Sequence, residues 1–219
     1  DFLASGRFRA DSDLDIVVAS RASSEIYLVP VDGKGGFGTP VKFDVGGEVT
    51  AMAAETFDPS KAFAGIVFGT RRDGGFRLAI ADGSSGFDGN KMRFVELAQP
   101  ADSLILASPD GATLEKDLFI LGGGQLGRIV AVGKNSAMPE SIDLPVRVRD
   151  LAAGEFIRDR RAKTELAVLA DNGVVYYFKN GPIDTRPFTE SEMRANFAKH
   201  GRGRSVVIDS TDNESSLAN

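Results

Sequence analysis

The sequence contains no cysteine, no tryptophan and a single histidine in 219 residues. Without cysteine there is no disulfide scaffold, no thiolate metal site and no cysteine nucleophile. One histidine excludes a multi-histidine metal centre within the chain, and imidazole chemistry would rest on His200 alone. No apolar run approaches the roughly 20 residues that cross a bilayer, so no membrane span is expected. Neither sign of charge dominates: 26 Lys and Arg stand against 31 Asp and Glu, a net −5. That mild acidity argues against nucleic acid and anionic membrane surfaces as partners. The chain begins Asp1-Phe2-Leu3, with no signal-like start, which suggests a processed or excised piece.

What is present is an internal repeat. Four segments combine an acidic or glycine turn with a dense apolar strand: Asp15 to Val18, Gly65 to Phe68, Asp117 to Ile120 and Glu165 to Val168. Their first apolar residues, Ile16, Ile66, Leu118 and Leu166, are spaced by 50, 52 and 48 residues. Upstream of three of them lies a small-residue strand followed by phenylalanine: Leu3 to Phe8, Ala51 to Phe57 and Leu151 to Phe156. Third strands follow at Glu25 to Val31, Phe76 to Ala81, Gly127 to Val132 and Val174 to Lys179, rich in β-branched and aromatic residues. Fourth strands, alternating apolar with charged as half-exposed strands do, are expected at Val41 to Val45, Met92 to Ala98, Ser141 to Val148 and Asp184 to Phe188.

Four strands per unit of about fifty residues describe the blade of a β-propeller. The expected fold is therefore all-β, a β-propeller of four-stranded antiparallel blades. Its units are 1–48, 49–101, 102–148 and 149–203, with a fifth starting over 204–219 and opening on Arg204 to Asp209. A β-sandwich is the rival, but it does not predict a fourfold repeat. Four blades and one strand point to part of a six- or seven-bladed ring, completed by another fragment or chain. A small closed ring of four or five blades is the alternative.

The segment Asp32-Gly33-Lys34-Gly35-Gly36-Phe37-Gly38-Thr39-Pro40 resembles the GDGTFG-x-P hairpin of FG-GAP/VCBS repeats. Gly6 to Val18 is similar to that family's GDFNGDGxxDLVV signature, and a degraded hairpin recurs over Asp82 to Gly89. The resemblance implies an integrin-like propeller, secreted, periplasmic or displayed on a cell surface, serving in adhesion, carbohydrate binding or support of an attached enzyme. It also implies a calcium loop, and there the match fails. Arg7 and Arg9 stand at the first two ligand positions, and Ala10 and Ser12 replace the turn glycines. Asp11 and Asp15 stay at ligand positions and Asp13 is acidic at a variable one. Two arginines among three carboxylates predict a salt-bridged loop rather than a cation cage. The second unit offers Glu55, Asp58 and Lys61; the fourth offers Glu155, Asp159 and Glu165 among Arg158, Arg160, Arg161 and Lys163. None completes a ligand set, so neither a metal nor a cofactor is expected.

The remaining motifs read structurally. Thr189 to Ala198 has a threonine cap with glutamate three residues on, which predicts a short helix. His200 falls at its C-terminal end and Gly201 stops it. Gly122 to Gly127 lies between two strands and reads as a hairpin turn, not a phosphate loop. Arg158 to Lys163 is interrupted by Asp159 and reads as a solvated turn. In Tyr176-Tyr177-Phe178 the first and third residues share one face, and core packing is the expected role, with carbohydrate stacking as the alternative. No acid, base and nucleophile converge in sequence. Together with what the FG-GAP/VCBS resemblance implies, the expected function is a non-catalytic, extracytoplasmic module binding a protein or glycan. The alternative is a lyase- or hydrolase-type propeller enzyme, with Glu55 and Glu155 converging at the central channel.

Overall fold

A computed structural model describes residues 1–10, 14–83, 86–108, 115–134, 138–156, 164–178, 184 and 186–200. Fifteen strands form four separate antiparallel sheets in which neighbours in sequence are neighbours in space. Sheet 1 is β1 (Phe2–Gly6), β2 (Asp15–Ala19), β3 (Glu25–Pro30) and β4 (Val41–Asp44). Sheet 2 is β5 (Glu48–Glu55), β6 (Gly65–Arg72), β7 (Gly75–Ala81) and β8 (Arg93–Leu97). Sheet 3 is β9 (Ser103–Ala107), β10 (Asp117–Gly122), β11 (Gln125–Ile129) and β12 (Glu140–Ile142). Sheet 4 has three strands, β13 (Val148–Gly154), β14 (Glu165–Ala170) and β15 (Val175–Phe178). Among the described residues the fold is all-β except for a 3-10 turn at Gly89–Lys91 and one α-helix, α1 (Glu190–His200), and the sheets are blade-like meanders.

Register carries the repeat into three dimensions. Gly6 pairs with Asp15, Glu55 with Gly65, Ala107 with Asp117 and Gly154 with Glu165, so the first and second strands of all four units share one register. The register shifts by one residue between Val49 and Ala51 in β5 and between Val148 and Asp150 in β13, the same point of the unit. Successive sheets meet through their first strands, β1 with β5, β5 with β9, and β9 with β13. Between them lie three apolar cores. The first holds Phe8, Val17, Ile26, Leu28, Ile66 and Phe68, the second Phe57, Val67, Leu78, Leu104, Leu118 and Ile129, the third Phe119, Leu126, Leu151, Leu166 and Val168. Strands β6 and β10 are apolar on both faces because each is covered on both sides, as their unbroken sequence runs require.

The first strand of the third unit, β9, carries no small-residue signature; Ile105 and Leu106 stand where β5 and β13 have alanines. Two sequence expectations are corrected. Asp184 and 186–188 form no strand. Arg186 instead folds back on Asp184, its backbone N–H at 3.2 Å and its guanidinium at 2.6 Å, and Pro187 has no N–H to give a ladder. The expected strand Ser141 to Val148 splits: β12 ends at Ile142, and Val148 begins β13.

The chain divides into two compact units, Asp1–Ile183 with the four sheets and Asp184–Asn219 with α1. The helix starts as its sequence predicts. Thr189 Oγ1 accepts the Glu192 N–H at 3.4 Å while the Thr189 N–H donates to Glu192 Oε2 at 2.8 Å. His200 is the last residue of α1, and Gly201 lies outside the described residues, as do Arg204 to Asp209.

The Asp32 hairpin is held by its own carboxylate. Oδ1 of Asp32 accepts the N–H groups of Lys34 and Gly36, both at 2.8 Å, while Gly33 and Gly35 take φ of +70° and +89°. These N–H groups, Lys34 first, hold the Asp32 carboxyl below its ordinary range. A depressed folded-state value means the contribution is present above the ordinary aspartate value and lost as pH falls through the lowered one. A carboxyl-carbon NMR titration is expected to give Asp32 a lower midpoint than an aspartate in an unstructured peptide. An equal or higher midpoint would refute this loop geometry.

Candidate functional site

Two features of the repeat bear on chemistry. The first is the residue that opens each second strand: Asp15, Gly65, Asp117 and Glu165. All three carboxylates are buried, Asp15 completely, and a buried charge persists only with partners. Arg9 supplies one for Asp15, with Nη2 at 2.9 Å and Nε at 3.3 Å from Oδ1. Arg9 thus donates to a carboxylate that is fully buried. Asp117 is gripped by Arg128, whose Nε lies 2.9 Å from Oδ2, and its Oδ1 accepts the Ala131 N–H at 2.8 Å. Ala131 has φ of +48°, an uncommon conformation for a residue with a Cβ, and this bond helps to hold it. Glu165 Oε2 accepts the Phe156 N–H at 2.7 Å. At Gly65 no carboxylate fits: a Cβ there would sit 2.4 Å from the Phe57 ring.

The position is therefore a brace between the connection leaving the first strand and the second strand, or between the second and third. Of the expected loop residues, Asp11 and Asp13 lie outside the described residues, as do Asp159 and the Arg158 to Lys163 cluster. Arg7 lies over the Phe63 ring, 5.4 Å from its centroid. Glu55 is paired with Lys116 at 2.5 Å, a contact between sheets 2 and 3, and Glu155 is exposed. Asp58, Lys61, Asp82, Glu115 and Lys134 share a cavity of about 190 Å³ with Phe57. Within it Glu115 pairs with Lys134 at 2.7 Å. Asp58 accepts the Ser60 N–H at 2.8 Å, the main cause of its lowered pKa, with Lys61 and Lys134 adding to it. Its cations and anions are mixed. Among the described residues no three His, Asp or Glu side chains are grouped to hold a metal ion.

The second feature is a polar cleft of about 690 Å³ that the sequence reading missed. Its walls are the β4–β5 connection, with Asp44 and Glu48, and the β6–β7 hairpin, with Arg71, Arg72 and Asp73. The hairpin turns on Asp73 and Gly74, at φ of 51° and 80°, the left-handed pair that a two-residue turn demands. Across the cleft, Gly46 takes φ of +76° and donates its N–H to Asp44 Oδ1 at 2.6 Å. A Cβ on Gly47 would come within 2.9 Å of the Arg71 carbonyl oxygen, so the two walls approach as backbone. Arg71 pairs with Glu48 at 2.6 Å and Arg72 with Asp73 at 3.2 Å, all four side chains being largely exposed. Exposed pairs of this kind contribute about 0–1 kcal/mol, so an incoming carboxylate or hydroxyl competes for either guanidinium at little cost. The available signal was the Arg71-Arg72-Asp73-Gly74 run, in which a basic pair meets a tight-turn dipeptide.

The aromatic run in β15 is not core. Tyr176 is half-buried, while Tyr177 and Phe178 are exposed, and the Tyr177 ring stacks at a tilt on Phe156, 5.6 Å between centroids. Gly122 to Gly127 forms the β10–β11 hairpin, as its position between strands predicts. No described helix is long and apolar enough to cross a membrane. Comparison with protein-family models and with curated proteins found no match to this chain.

Proposed function

We propose that the chain is a non-catalytic, extracytoplasmic module of FG-GAP/VCBS type, its sheets being blades of a β-propeller, and that it binds a protein or glycan partner. The observation that carries this reading is the cleft lined by Arg71 and Arg72, whose guanidinium groups are exposed and held only by exposed pairs with Glu48 and Asp73. Its lining is polar and charged, which suits hydroxyl or carboxylate groups on a partner surface rather than an apolar small molecule. The repeat-equivalent carboxylates support the non-catalytic half of the reading. Asp15, Asp117 and Glu165 are committed to guanidinium or backbone N–H partners, and Glu55 to Lys116. A general acid or base must reach a substrate proton, and Asp15, Asp117 and Glu165 are buried against the scaffold.

The test is an array of neutral and acidic glycans, with a parallel screen of surface proteins. A binder is expected that Arg71→Ala with Arg72→Ala weakens about tenfold or more, in line with loss of two charge-assisted contacts. A binder unaffected by that pair would move the site elsewhere. If a substrate is instead turned over, and Glu55→Gln with Glu155→Gln abolishes turnover, the enzyme reading replaces this one.

A further inference from the structure

The cleft at Arg71 belongs to one end of the four sheets. In an antiparallel meander the hairpin between the second and third strands and the connection to the next sheet fall at the same end. Hydrogen bonds tie these pieces together: the Val49 N–H donates to the Ser23 carbonyl at 2.9 Å, Val148 to Gly124 at 2.9 Å and Asp171 to Arg147 at 3.0 Å. Two further hollows open on this end. One of about 160 Å³ lies where the β8–β9 connection, with Gln99, meets the β10–β11 hairpin, with Gln125. Another of about 290 Å³ lies between that hairpin and the β12–β13 connection, with Arg147. They share Gln125, Leu126 and Ser141, so they adjoin. Every residue of these hairpins and connections is described.

The cations at this end are arginines. No lysine lies in its hairpins or connections, whereas Lys34, Lys61, Lys91, Lys116 and Lys134 belong to the opposite end. Arg21 sits on the hairpin of sheet 1, where its Nη1 donates to the Thr50 carbonyl at 2.8 Å. Arg71 and Arg72 end β6 in sheet 2, and Arg147 Nη2 donates to the Gly123 carbonyl of the sheet 3 hairpin at 3.0 Å. All four are exposed, and those bonds use one of the five guanidinium donors of Arg21 and of Arg147. The forks thus stand one to a sheet, roughly 10 Å apart as packed sheets are, a distance of which one sugar unit spans about half. Between them lie Glu48, Asp73 and Asp102, carboxylates that repel an anion charged at every unit. The Gln99 and Gln125 amides, 3.2 Å apart and exposed, suit hydroxyl groups. Among the described residues no aromatic side chain lines any of the three hollows, so the anchors usual in a protein interface are missing. We propose that this end binds a linear glycan with a carboxylate on alternate sugars. The chain lies across sheets 1 to 3, its carboxylates on Arg21, on Arg71 with Arg72 and on Arg147, its hydroxyls on Glu48, Gln99 and Gln125. This rests on the reading of the Arg71 cleft as a binding site, and it selects glycan over protein.

The test is calorimetry of the full chain at low salt, with a disaccharide, a tetrasaccharide and a hexasaccharide of alternating uronate and N-acetylated sugar, and a neutral hexasaccharide. The acidic hexasaccharide is expected to bind about tenfold or more tighter than the disaccharide, because its later contacts are made within one complex. It is also expected to bind about tenfold or more tighter than the neutral one. Arg21→Ala and Arg147→Ala replace exposed side chains, so each is expected to melt like the parent. Each is expected to remove most of the gain with length and to leave the disaccharide, held at the paired forks of Arg71 and Arg72, unchanged. A hexasaccharide no tighter than the disaccharide, with both weakened by Arg71→Ala and Arg72→Ala, overturns the extended site and leaves the cleft. A neutral hexasaccharide that binds as tightly overturns the carboxylate contacts. A protein partner that depends on Arg71 and Arg72, with no acidic glycan bound, overturns the glycan and leaves the cleft. No binding of either class, or an acidic glycan that ignores all four arginines, overturns both.

Discussion

Phe57→Ala is expected to destabilise the four-sheet unit by about 3–5 kcal/mol, the usual cost of truncating a fully buried phenylalanine. The ring lies against Gly65, in the space that a brace carboxylate takes in the other units. It packs in the core between sheets 2 and 3, and the carbonyl of the same residue accepts the Lys116 N–H at 2.8 Å. Removing the ring therefore leaves a cavity beside a glycine that has no side chain to fill it. Phe8→Ala is expected to cost a similar amount. Phe156→Ala, the repeat-equivalent change on an exposed face, is expected to cost less than about 1 kcal/mol. Urea unfolding of the three variants with an unchanged m-value measures this ordering. Equal losses at all three positions would contradict the assignment of faces.

The second large effect is expected at Asp117. Asp117→Ala removes a carboxylate that the Arg128 guanidinium grips and, with it, the acceptor for the Ala131 N–H. Losing a buried charge-assisted contact and leaving one backbone donor unsatisfied costs about 2–4 kcal/mol. Asp117→Ala combined with Arg128→Met is expected to recover part of that loss, because a partly buried charge goes while the aliphatic packing stays. Glu48→Ala breaks an equally short pair, but an exposed one, and is expected to change stability by no more than about 1 kcal/mol. A chemical denaturation series on these variants separates the two kinds of ion pair. A Glu48 effect as large as that of Asp117 would refute the burial argument.

The repeat was legible because it is written in local chemistry. An acidic residue ahead of an apolar run marks three of the four units, and a phenylalanine two residues past a small-residue strand marks three, all near the same period of about fifty. The capped helix was legible for the same reason, since Thr189 and Glu192 satisfy each other within one turn. Strand β9 was hidden because the first strand of a unit needs only to fill its share of space. Leucine and isoleucine do that in sheet 3 as alanine does in sheet 2. The expected strand at Asp184 to Phe188 failed on a local competition, the Arg186–Asp184 pair beside Pro187, that an alternation pattern does not register.

The site divides along the same line. The salt-bridged character of the first loop was readable, because Arg9 and Asp15 are six residues apart and their opposite charges suffice. The partners of Asp117 and Glu55 were not, since Arg128 reaches Asp117 across a hairpin and Lys116 reaches Glu55 from another sheet. The sequence alone determined the period, the order of strands and the turns, because alternation, β-branching and glycine act within a few residues. Only the tertiary structure decided which faces are covered. Phe8, Phe57 and Phe156 carry the same local signature, and what separates them is whether another sheet lies against the ring. Burial is a property of neighbours far apart in the chain, and no window of sequence contains them.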